Sequence, residues 1–481
     1  MNKRLVLYVL GMILVVLAAL LAAPLLVAAI YREADCGRAF LVAIGISLLL
    51  GVPMLLQRPR DRALYAREGY VAVALSWVLM SLVGAVPFTL SGAVPNYLDA
   101  VFETVSGFTT TGSSILLEVE SLPRSLLFWR SFTHLLGGMG VLVFMMALVP
   151  LAGGDSIFLL RAESPGPSVS KIVPKMRTTA AILYGIYLGM ALLEFVLLLL
   201  GGMPVFESLC HTFGTAGTGG FGIRNDSIAG YSTYLQGVIS VFMLLFGVNF
   251  NFYVFLLLRR VRMALHQSEV WVYFGIVAAS VLLITINIHR GFSSVFQAFH
   301  HALFSVSSVI TTTGYATVDF NQWPELSRMI LVLLMIVGAC AGSTGGGMKV
   351  SRIMMLCRAC RSEVSHLLHP RQVKVMTMDG KRVPENTVRG VHAFSVAYVL
   401  ILVGSVLLVS LDNFDFTTTL TAVLATLNNI GPGLGMVGPA GNFAAFSPLS
   451  KLVMTMDMLF GRLEIFPLLI LMLPGTWRRG N

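Results

Sequence analysis

The sequence predicts an all-α polytopic membrane protein, with four pseudo-symmetric helix–pore helix–helix units around a central pore and two extra N-terminal transmembrane helices. Three observations predict this fold class. Of the 481 residues, 56% are apolar and only 12% are charged, and the mean hydropathy is +0.82. Apolar blocks of about twenty residues recur, which is the length an α-helix needs to cross a hydrocarbon layer of about 30 Å. The third observation is a repeated loop.

This loop of small residues occurs four times at intervals of roughly one hundred residues. A single copy would be explained as well by close packing of membrane helices. Four copies, each after a short apolar segment and before a long one, indicate four units that each place one loop around a common axis. The loops are Thr109–Ser114, Gly217–Phe221, Thr311–Tyr315 and Asn428–Gly433, with Gly112, Gly219, Gly314 and Gly431 taken as equivalent.

The chain is expected to begin with two transmembrane helices, Leu5–Ile30 and Phe40–Leu56, within residues 1–69. The first block is too long for a signal peptide and lacks a small-residue cleavage site, so we expect it to be retained. Pore unit 1 follows at residues 70–152. The later parts are a cytoplasmic loop with pore unit 2 at 153–265, pore unit 3 at 266–357, and a cytoplasmic loop with pore unit 4 at 358–481.

Each unit is expected to hold an outgoing helix, a short apolar segment, the loop and a return helix. The short segments cannot span a bilayer, and irregular backbone at membrane depth is tolerated only inside protein or beside a watery cavity. We therefore expect ten membrane-spanning helices and four pore helices. In unit order these are Val71–Leu90, Leu98–Phe108 and Leu122–Leu151; Ala180–Leu200, Val205–Gly214 and Tyr234–Leu258; Val270–Ile288, Ser294–Val309 and Leu326–Leu356; Val391–Leu411, Phe416–Thr426 and Leu449–Leu473.

The net charge of +10 is distributed in a way that argues against a nucleic-acid partner. Lys and Arg cluster in alternate connections between apolar blocks, which by the positive-inside rule places both termini in the cytoplasm. The two long cytoplasmic loops, Gly153–Arg177 and Cys357–Arg389, are too short for a nucleotide-binding domain. The five cysteines form no disulfide framework, and the lone Cys357/Cys360 pair supports neither a zinc site nor a redox fold.

The loops have the chemistry of a cation path. Glycine permits backbone conformations that point successive carbonyl oxygens inward, and such oxygens replace the water of a cation. The short helices would direct their negative ends at the axis. Acids near the loops would concentrate cations at a pore mouth, and these are Asp99, Glu103, Glu118, Glu120, Asp226, Asp319, Glu325, Asp412 and Asp415. The sequence lacks a convergent nucleophile, base or metal set, so we expect no enzyme.

The loops and their flanks resemble the Trk/Ktr/HKT superfamily of cation transporters, and most of all its bacterial TrkH-type potassium uptake subunits. The resemblance is carried by Ser106–Ser114, Leu136–Gly140, Gly217–Phe221, Thr311–Tyr315, Gly338–Arg352, Leu427–Gly433 and Gly461–Phe466. It implies a potassium selectivity filter, because glycine stands at all four equivalent positions. The implied filter residues are Thr110, Thr111, Gly112, Gly217, Thr218, Gly219, Thr312, Thr313, Gly314, Asn429, Ile430 and Gly431.

The resemblance also implies a gate. The segment from Gly338 to Gly347 would be an intramembrane loop below the filter, and Arg462 an electrostatic barrier. The alternatives are a close-packing helix face for the segment and a structural ion pair of Arg462 with Asp457 or Glu464. Lys349 would face the pore or extend toward the interface. The implied gate residues are Gly338, Gly342, Gly345, Gly346, Gly347, Lys349 and Arg462.

The function implied is potassium uptake across the bacterial inner membrane, with potassium as substrate and no covalently bound cofactor. The partners implied are a second copy in a homodimer, a cytosolic TrkA-type nucleotide-binding regulatory subunit and the lipid bilayer. The alternative is a potassium symporter coupled to protons or sodium. It would need an intramembrane acid that titrates, for which the candidates are Asp457, Glu464 and Glu194.

Overall fold

The computed structural model describes residues 2–57, 59, 66–148, 176–370 and 376–477. Most of Arg58–Arg67, nearly all of the predicted cytoplasmic loop Gly153–Arg177 and the terminal Arg478–Arg479 lie outside these residues. Helices make up most of the described chain. The strands within it are Thr377–Met378 and Lys381–Arg382, which pair antiparallel in a short hairpin.

The N-terminal part contains the helices Lys3–Leu20, Ala22–Tyr31 and Ala34–Leu56. The first two form one apolar stretch long enough to span, Lys3–Tyr31, and the third forms a second. Gly11 and Gly51 allow these helices to touch, because a Cβ on Gly11 would lie 2.7 Å from the carbonyl oxygen of Gly51. Both predicted N-terminal helices are present.

Each of the four units contains an outgoing helix and a short helix. Three of the four short helices are capped where they begin, since the side chains of Asn96, Ser294 and Asp415 accept hydrogen bonds from backbone N–H groups of the first turn. Their bounds differ from the predicted ones by a few residues at most. The outgoing helices are Ala66–Leu90, Met176–Leu200, Ser268–Ile288 and Glu385–Val409, and the short helices are Tyr97–Phe108, Val205–Gly217, Val295–Ile310 and Phe416–Leu427.

The return helices differ more from expectation. Within the described residues, only unit 1 has an unbroken return helix, Arg124–Leu148. The prediction of continuous return helices in units 2 and 4 is wrong. Apolar composition does not reveal such breaks, because the residues on both sides are equally apolar. The pieces are Thr233–Phe246, Phe250–Leu257 and Val261–Leu265 in unit 2, Glu325–Val337 and Val350–Leu368 in unit 3, and Pro448–Arg462, Phe466–Met472 and Pro474–Trp477 in unit 4.

Local chain geometry accounts for two of these breaks. In unit 2 the pieces meet at an angle of 89°, and Asn249 caps the second piece by accepting a hydrogen bond from Asn251 N at 2.9 Å. In unit 4 the break holds Glu464 and Ile465 at φ of 58° and 65°. A β-branched residue with positive φ is a conformational outlier that cannot continue a right-handed helix.

The described chain has the surface of a multi-pass membrane protein. Six of its helices are long and apolar enough to cross a bilayer, or seven if the bent pair of unit 2 counts as one span. Apolar side chains on the outgoing helices remain exposed, such as Leu192 (63%), Leu282 (61%) and Leu400 (68%). Toward their C-terminal ends the short helices are enclosed, with Phe108 and Val309 buried. The predicted fold class is confirmed.

Candidate functional site

The four short helices end in the same way. In each, an N–H donates back to the carbonyl five residues earlier, over 2.8 to 2.9 Å. The residue just before that donor is left-handed, with φ between 55° and 58°. Glycine or asparagine normally takes such a position, and a threonine there costs about 1–3 kcal/mol. The donors are Thr111, Gly219, Thr313 and Ile430, and the left-handed residues are Thr110, Thr218, Thr312 and Asn429.

A glycine with positive φ follows two residues after each left-handed residue. These glycines are Gly112, Gly220, Gly314 and Gly431, with φ of 82°, 72°, 88° and 99°. The alignment of Gly219 with Gly112 is therefore off by one residue, because Gly219 takes the place of Thr111, Thr313 and Ile430. The Gly-Thr-Gly-Gly sequence fits both registers, and the hydrogen bond from Gly219 N to Gly214 O selects one of them.

The four loops form a closed ring. A Cβ added to any of the four glycines would crowd or overlap a carbonyl oxygen of the next unit. The facing pairs are Gly112 with Gly219, Gly220 with Thr313, Gly314 with Ile430, and Gly431 with Thr111. The fourth pair returns to unit 1, so one repeated contact joins all four loops. Backbone carbonyls in such a ring are the ligands that selectivity filters use for dehydrated cations.

Side chains connect units 1 and 4 within the ring. Asn429 Nδ2 donates to Thr111 Oγ1 at 2.9 Å and to Met458 O at 2.8 Å. Ser113 Oγ donates to Gly431 O at 3.0 Å. The residues predicted for the filter are thus brought together in the ring. Gly217 is the last residue of its short helix, and Gly220, which was not among the predicted filter residues, also belongs to the ring.

The sequence did not predict a buried ion pair that lies behind the ring. Glu103, expected at the pore mouth, is only 1% exposed and lies 2.8 Å from Arg130 Nε. Its carboxylate also accepts from Ser114 Oγ and Ile115 N, both at 3.0 Å. Arg130 Nη1 donates to Gly222 O at 3.1 Å. This pair braces the loops of units 1 and 2, and an arginine within an apolar helix was the signal that could have identified it.

The other outer acids lie nearer the surface. Asp99 is half-buried and pairs with Lys451 at 2.7 Å, and Glu120 accepts from Asn225 N at 3.0 Å. Five of the acids are exposed, namely Glu118, Glu120, Asp226, Glu325 and Asp415, whereas Asp319 and Asp412 are half-buried. The connections that carry these five acids therefore present negative charge to solvent.

The segment Gly338–Lys349 packs against the loops of units 3 and 4, where it contacts Thr311, Thr312 and Asn428. It is irregular rather than a helix face, with positive φ at Gly338, Gly342, Gly347 and Lys349. Gly346 N donates to Thr312 Oγ1 at 2.6 Å. A Cβ on Gly345 would lie 2.9 Å from Thr311 O, so the segment touches the ring directly.

The same segment fills the break in the return helix of unit 2. Cys340 N donates to Gly247 O at 3.1 Å, and Phe250 N donates to Gly342 O at 3.0 Å. Thr344 Oγ1 donates to Phe246 O at 3.3 Å. Backbone groups freed at membrane depth must find such partners inside the protein.

Arg462 links three elements beside the ring. Its guanidinium donates to Thr110 Oγ1 at 3.1 Å, to Thr344 O at 2.8 Å and to Gly137 O at 2.6 Å. The two acids considered as its partners have other contacts. Glu464 pairs with Arg352, and Asp457 accepts from Ser405 Oγ at 2.7 Å. Arg462 is thus placed between the ring and the intramembrane segment.

Lys349 and Glu194 are buried charges of different kinds. Lys349 is 7% exposed, and its Nζ donates to Gly345 O within its own segment, so it does not extend to an interface. Glu194 is fully buried in the outgoing helix of unit 2. Its carboxyl oxygens make no well-aligned hydrogen bond within the described parts of the chain, although the Thr215 hydroxyl lies beside them.

Comparisons with known proteins agree with this architecture. The TrkH family model, described as a cation transport protein, matches residues 38–475. The Trk system potassium uptake protein TrkH of Salmonella typhimurium is 35% identical over 99% of this chain and all of that protein. TrkG of Escherichia coli is 32% identical over 95% and 94% of the two chains. The crystal structure of the potassium transporter TrkH from Vibrio parahaemolyticus superposes with a TM-score of 0.88 at 32% identity, over 99% of this chain and all of that one. The chain belongs to the TrkH family of cation transport proteins.

Proposed function

We propose that this protein carries potassium ions across the bacterial inner membrane through the ring formed by its four loops. The observation that carries the proposal is the repeated contact in which each ring glycine faces a carbonyl oxygen of the next unit. The relatives at 32–35% identity are named potassium uptake proteins, which makes potassium the proposed substrate. Transport rather than catalysis is the proposed role.

The ring would act by replacing the water of a cation. Four carbonyl oxygens, from Thr111, Gly219, Thr313 and Ile430, lie at equivalent places around one axis. The short helices end at these residues, and the negative ends of their dipoles favour a cation there. Flux would follow the electrochemical gradient, since ordered carbonyl ligands need no energy source.

The filter assignment is tested with purified protein in liposomes, by measuring the ratio of potassium to sodium flux. Gly112→Ser and Gly314→Ser place a side chain against a facing carbonyl, so we expect each to lower the ratio by about tenfold, or about 1.4 kcal/mol. Gly92→Ser is the matched control, because Gly92 also has positive φ (79°) but has open space around it. An unchanged ratio in both ring variants would show that the filter lies elsewhere.

The gate is proposed to be the segment Gly338–Lys349 together with Arg462. The segment touches Thr312 and continues directly into the helix Val350–Leu368, whose far end is exposed. Movement of that helix would therefore pull on the segment. The proposed controller is a cytosolic nucleotide-binding subunit of the TrkA type that contacts the cytoplasmic surface of a homodimer, with both termini on the cytoplasmic side.

Co-purification tests the proposed controller. We expect a nucleotide-binding subunit to be recovered with the detergent-solubilised protein, and its nucleotide to change potassium flux in liposomes. Absence of such a subunit, together with flux that no nucleotide alters, would count against this partner. Cross-linking in native membranes would report the homodimer on the same material.

Coupled symport is the second candidate, and Glu194 favours it. A fully buried carboxyl is costly to ionise and so is suited to hold a proton. Reversal potentials in planar bilayers separate the two mechanisms. A channel follows the Nernst potential of potassium, whereas a stoichiometric symporter departs from it when the pH or sodium gradient changes.

A further inference from the structure

Glu269 holds both ends of the intramembrane segment with one carboxyl oxygen. It lies in the first turn of the outgoing helix of unit 3 and is 7% exposed. Its Oε1 accepts from Ala341 N at 2.7 Å and from Ser351 N at 3.1 Å. The outgoing helix predicted for unit 3 begins one residue later, at Val270, and does not include this side chain.

These two donors are ten residues apart, and the segment between them forms a closed loop. Val350 N donates to Ala339 O at 3.0 Å, and Met348 N donates to Ile336 O at 3.1 Å, which close the base of this loop by backbone contacts. Glu269, which lies on the helix Ser268–Ile288, binds Ala341 on one side of this base and Ser351 on the other. Ser351 is the second residue of Val350–Leu368, where the helix dipole favours an acidic group.

Another charged side chain, Arg462, also reaches the segment from outside, and it donates to Thr344 O at 2.8 Å. The direct contacts of the segment with the ring and with the break of unit 2 are hydrogen bonds between neutral groups, such as Gly346 N to Thr312 and Cys340 N to Gly247. Hydrogen bonds to a charged group stabilise a contact about twice as much as neutral ones. Glu269 therefore provides a strong attachment at the point where the segment joins the exposed helix.

We infer that Glu269 is a positioning residue that fastens the intramembrane segment in the conformation in which it lies against the ring. Releasing Ala341 and Ser351 from Glu269 loosens the segment near both of its ends, so that only its contacts with the ring, the break of unit 2 and Arg462 keep it in place. The attachment itself is independent of the proposed function. Its effect on ion flux rests on the proposed gate.

Cys340 is a natural reporter of this attachment. Its thiol is buried within the segment, one residue from Ala341, whereas Cys357 and Cys360 are exposed on the helix that follows. Replacing Cys357 and Cys360 by serine leaves Cys340 and the buried Cys36 and Cys210, which lie in other elements. The rate at which a water-soluble maleimide labels each thiol is measured on detergent-solubilised protein by peptide mass spectrometry.

In this background we expect Glu269→Gln to raise the labelling rate of Cys340 by about tenfold, and Glu269→Ala to raise it further. The rates at Cys36 and Cys210 should stay unchanged. Glu363→Gln is the matched control, since Glu363 is an exposed acid on Val350–Leu368 and its loss removes the same charge without touching the segment. We expect no change at Cys340 in that variant.

An unchanged Cys340 rate in both Glu269 variants would overturn the inference. An equal rise at Cys36 and Cys210 would also overturn it, because Glu269 would then stabilise the whole fold rather than the segment. Potassium flux is measured on the same proteins in liposomes. Faster labelling of Cys340 with unchanged flux would support the attachment by Glu269 but would show that the segment is not the gate. The attachment and the proposed gate can therefore fail separately.

Discussion

At the scale of single residues, the ring is built from conformations that its residue types disfavour. β-Branched residues favour an extended backbone, whereas Thr110, Thr218 and Thr312 adopt left-handed φ of 55° to 58°. The intrinsic φ preference of threonine could not predict this left-handed conformation. The conformation is imposed by the return of the next N–H to the short helix and by contact with a loop from another unit. Strain of this kind concentrates at functional sites.

The buried pair of Glu103 and Arg130 gives a prediction at the same scale. Glu103→Gln leaves Arg130 buried without its counter-charge, and breaking such a pair typically costs about 3–5 kcal/mol. We expect a lower melting temperature in detergent and a lower ratio of potassium to sodium flux, because the loops of units 1 and 2 lose their common support.

The double variant Glu103→Met, Arg130→Met is the control for that prediction. Apolar side chains of similar length remove both charges, so we expect the melting temperature to recover toward that of the wild type. A double variant that is less stable than Glu103→Gln would mean that the pair matters through its hydrogen bonds to Ser114 and Gly222 rather than through its charges.

At the scale of elements, the success of the predictions depended on whether the signal was local. The short helices were predicted closely, because their length and their capping residues are properties of the segment itself. The breaks at Gly247 and Ile465 were not predicted. The backbone N–H and C=O groups that leave the helix at these breaks, and the turns that they form, are stabilised by tertiary contacts. Apolar sequence looks alike on both sides of such a break.

The capping residue of the fourth short helix provides a prediction for an element. Asp415 accepts from Thr418 N at 2.9 Å, and Asp415→Ala should lower stability by about 1 kcal/mol, measured as a lower melting temperature in detergent. Asp415→Asn is the matched control and should melt between Asp415→Ala and the wild type, because asparagine keeps the cap but not the charge. Equal losses in both variants would assign the effect to charge instead.

The same cap predicts a dependence on pH. Hydrogen bonds from the Thr418 hydroxyl and N–H lower the pKa of Asp415 below its usual value. Its stabilisation is therefore complete above the pKa of an unfolded aspartate, about 3.9, and is lost as the pH falls through the lower folded pKa. We expect the difference in melting temperature between wild type and Asp415→Ala to narrow below about pH 4, and a constant difference would contradict this.

At the scale of the whole molecule, the site belongs to no single unit. Asn429 and Thr111 meet although 318 positions separate them. The four-fold repeat in the sequence was sufficient to predict that the loops share an axis, because equivalent segments must occupy equivalent places. It was not sufficient to predict the register of unit 2 or the contacts of Arg462, which depend on how all four units meet.

Arg462 gives the prediction for this scale, because one side chain of unit 4 joins the ring of unit 1, the segment of unit 3 and the return helix of unit 1. If its charge is the barrier, Arg462→Gln should raise potassium flux in liposomes by about tenfold, the effect of removing about 1.4 kcal/mol from a barrier. The control variant, Arg462→Lys, keeps the charge but loses the planar guanidinium group that reaches several acceptors at once.

Flux near the wild-type value in Arg462→Lys, together with fast flux in Arg462→Gln, would assign the barrier to charge. Fast flux in both would assign it to the hydrogen bonds that hold the segment. Unchanged flux in Arg462→Gln would remove Arg462 from the mechanism.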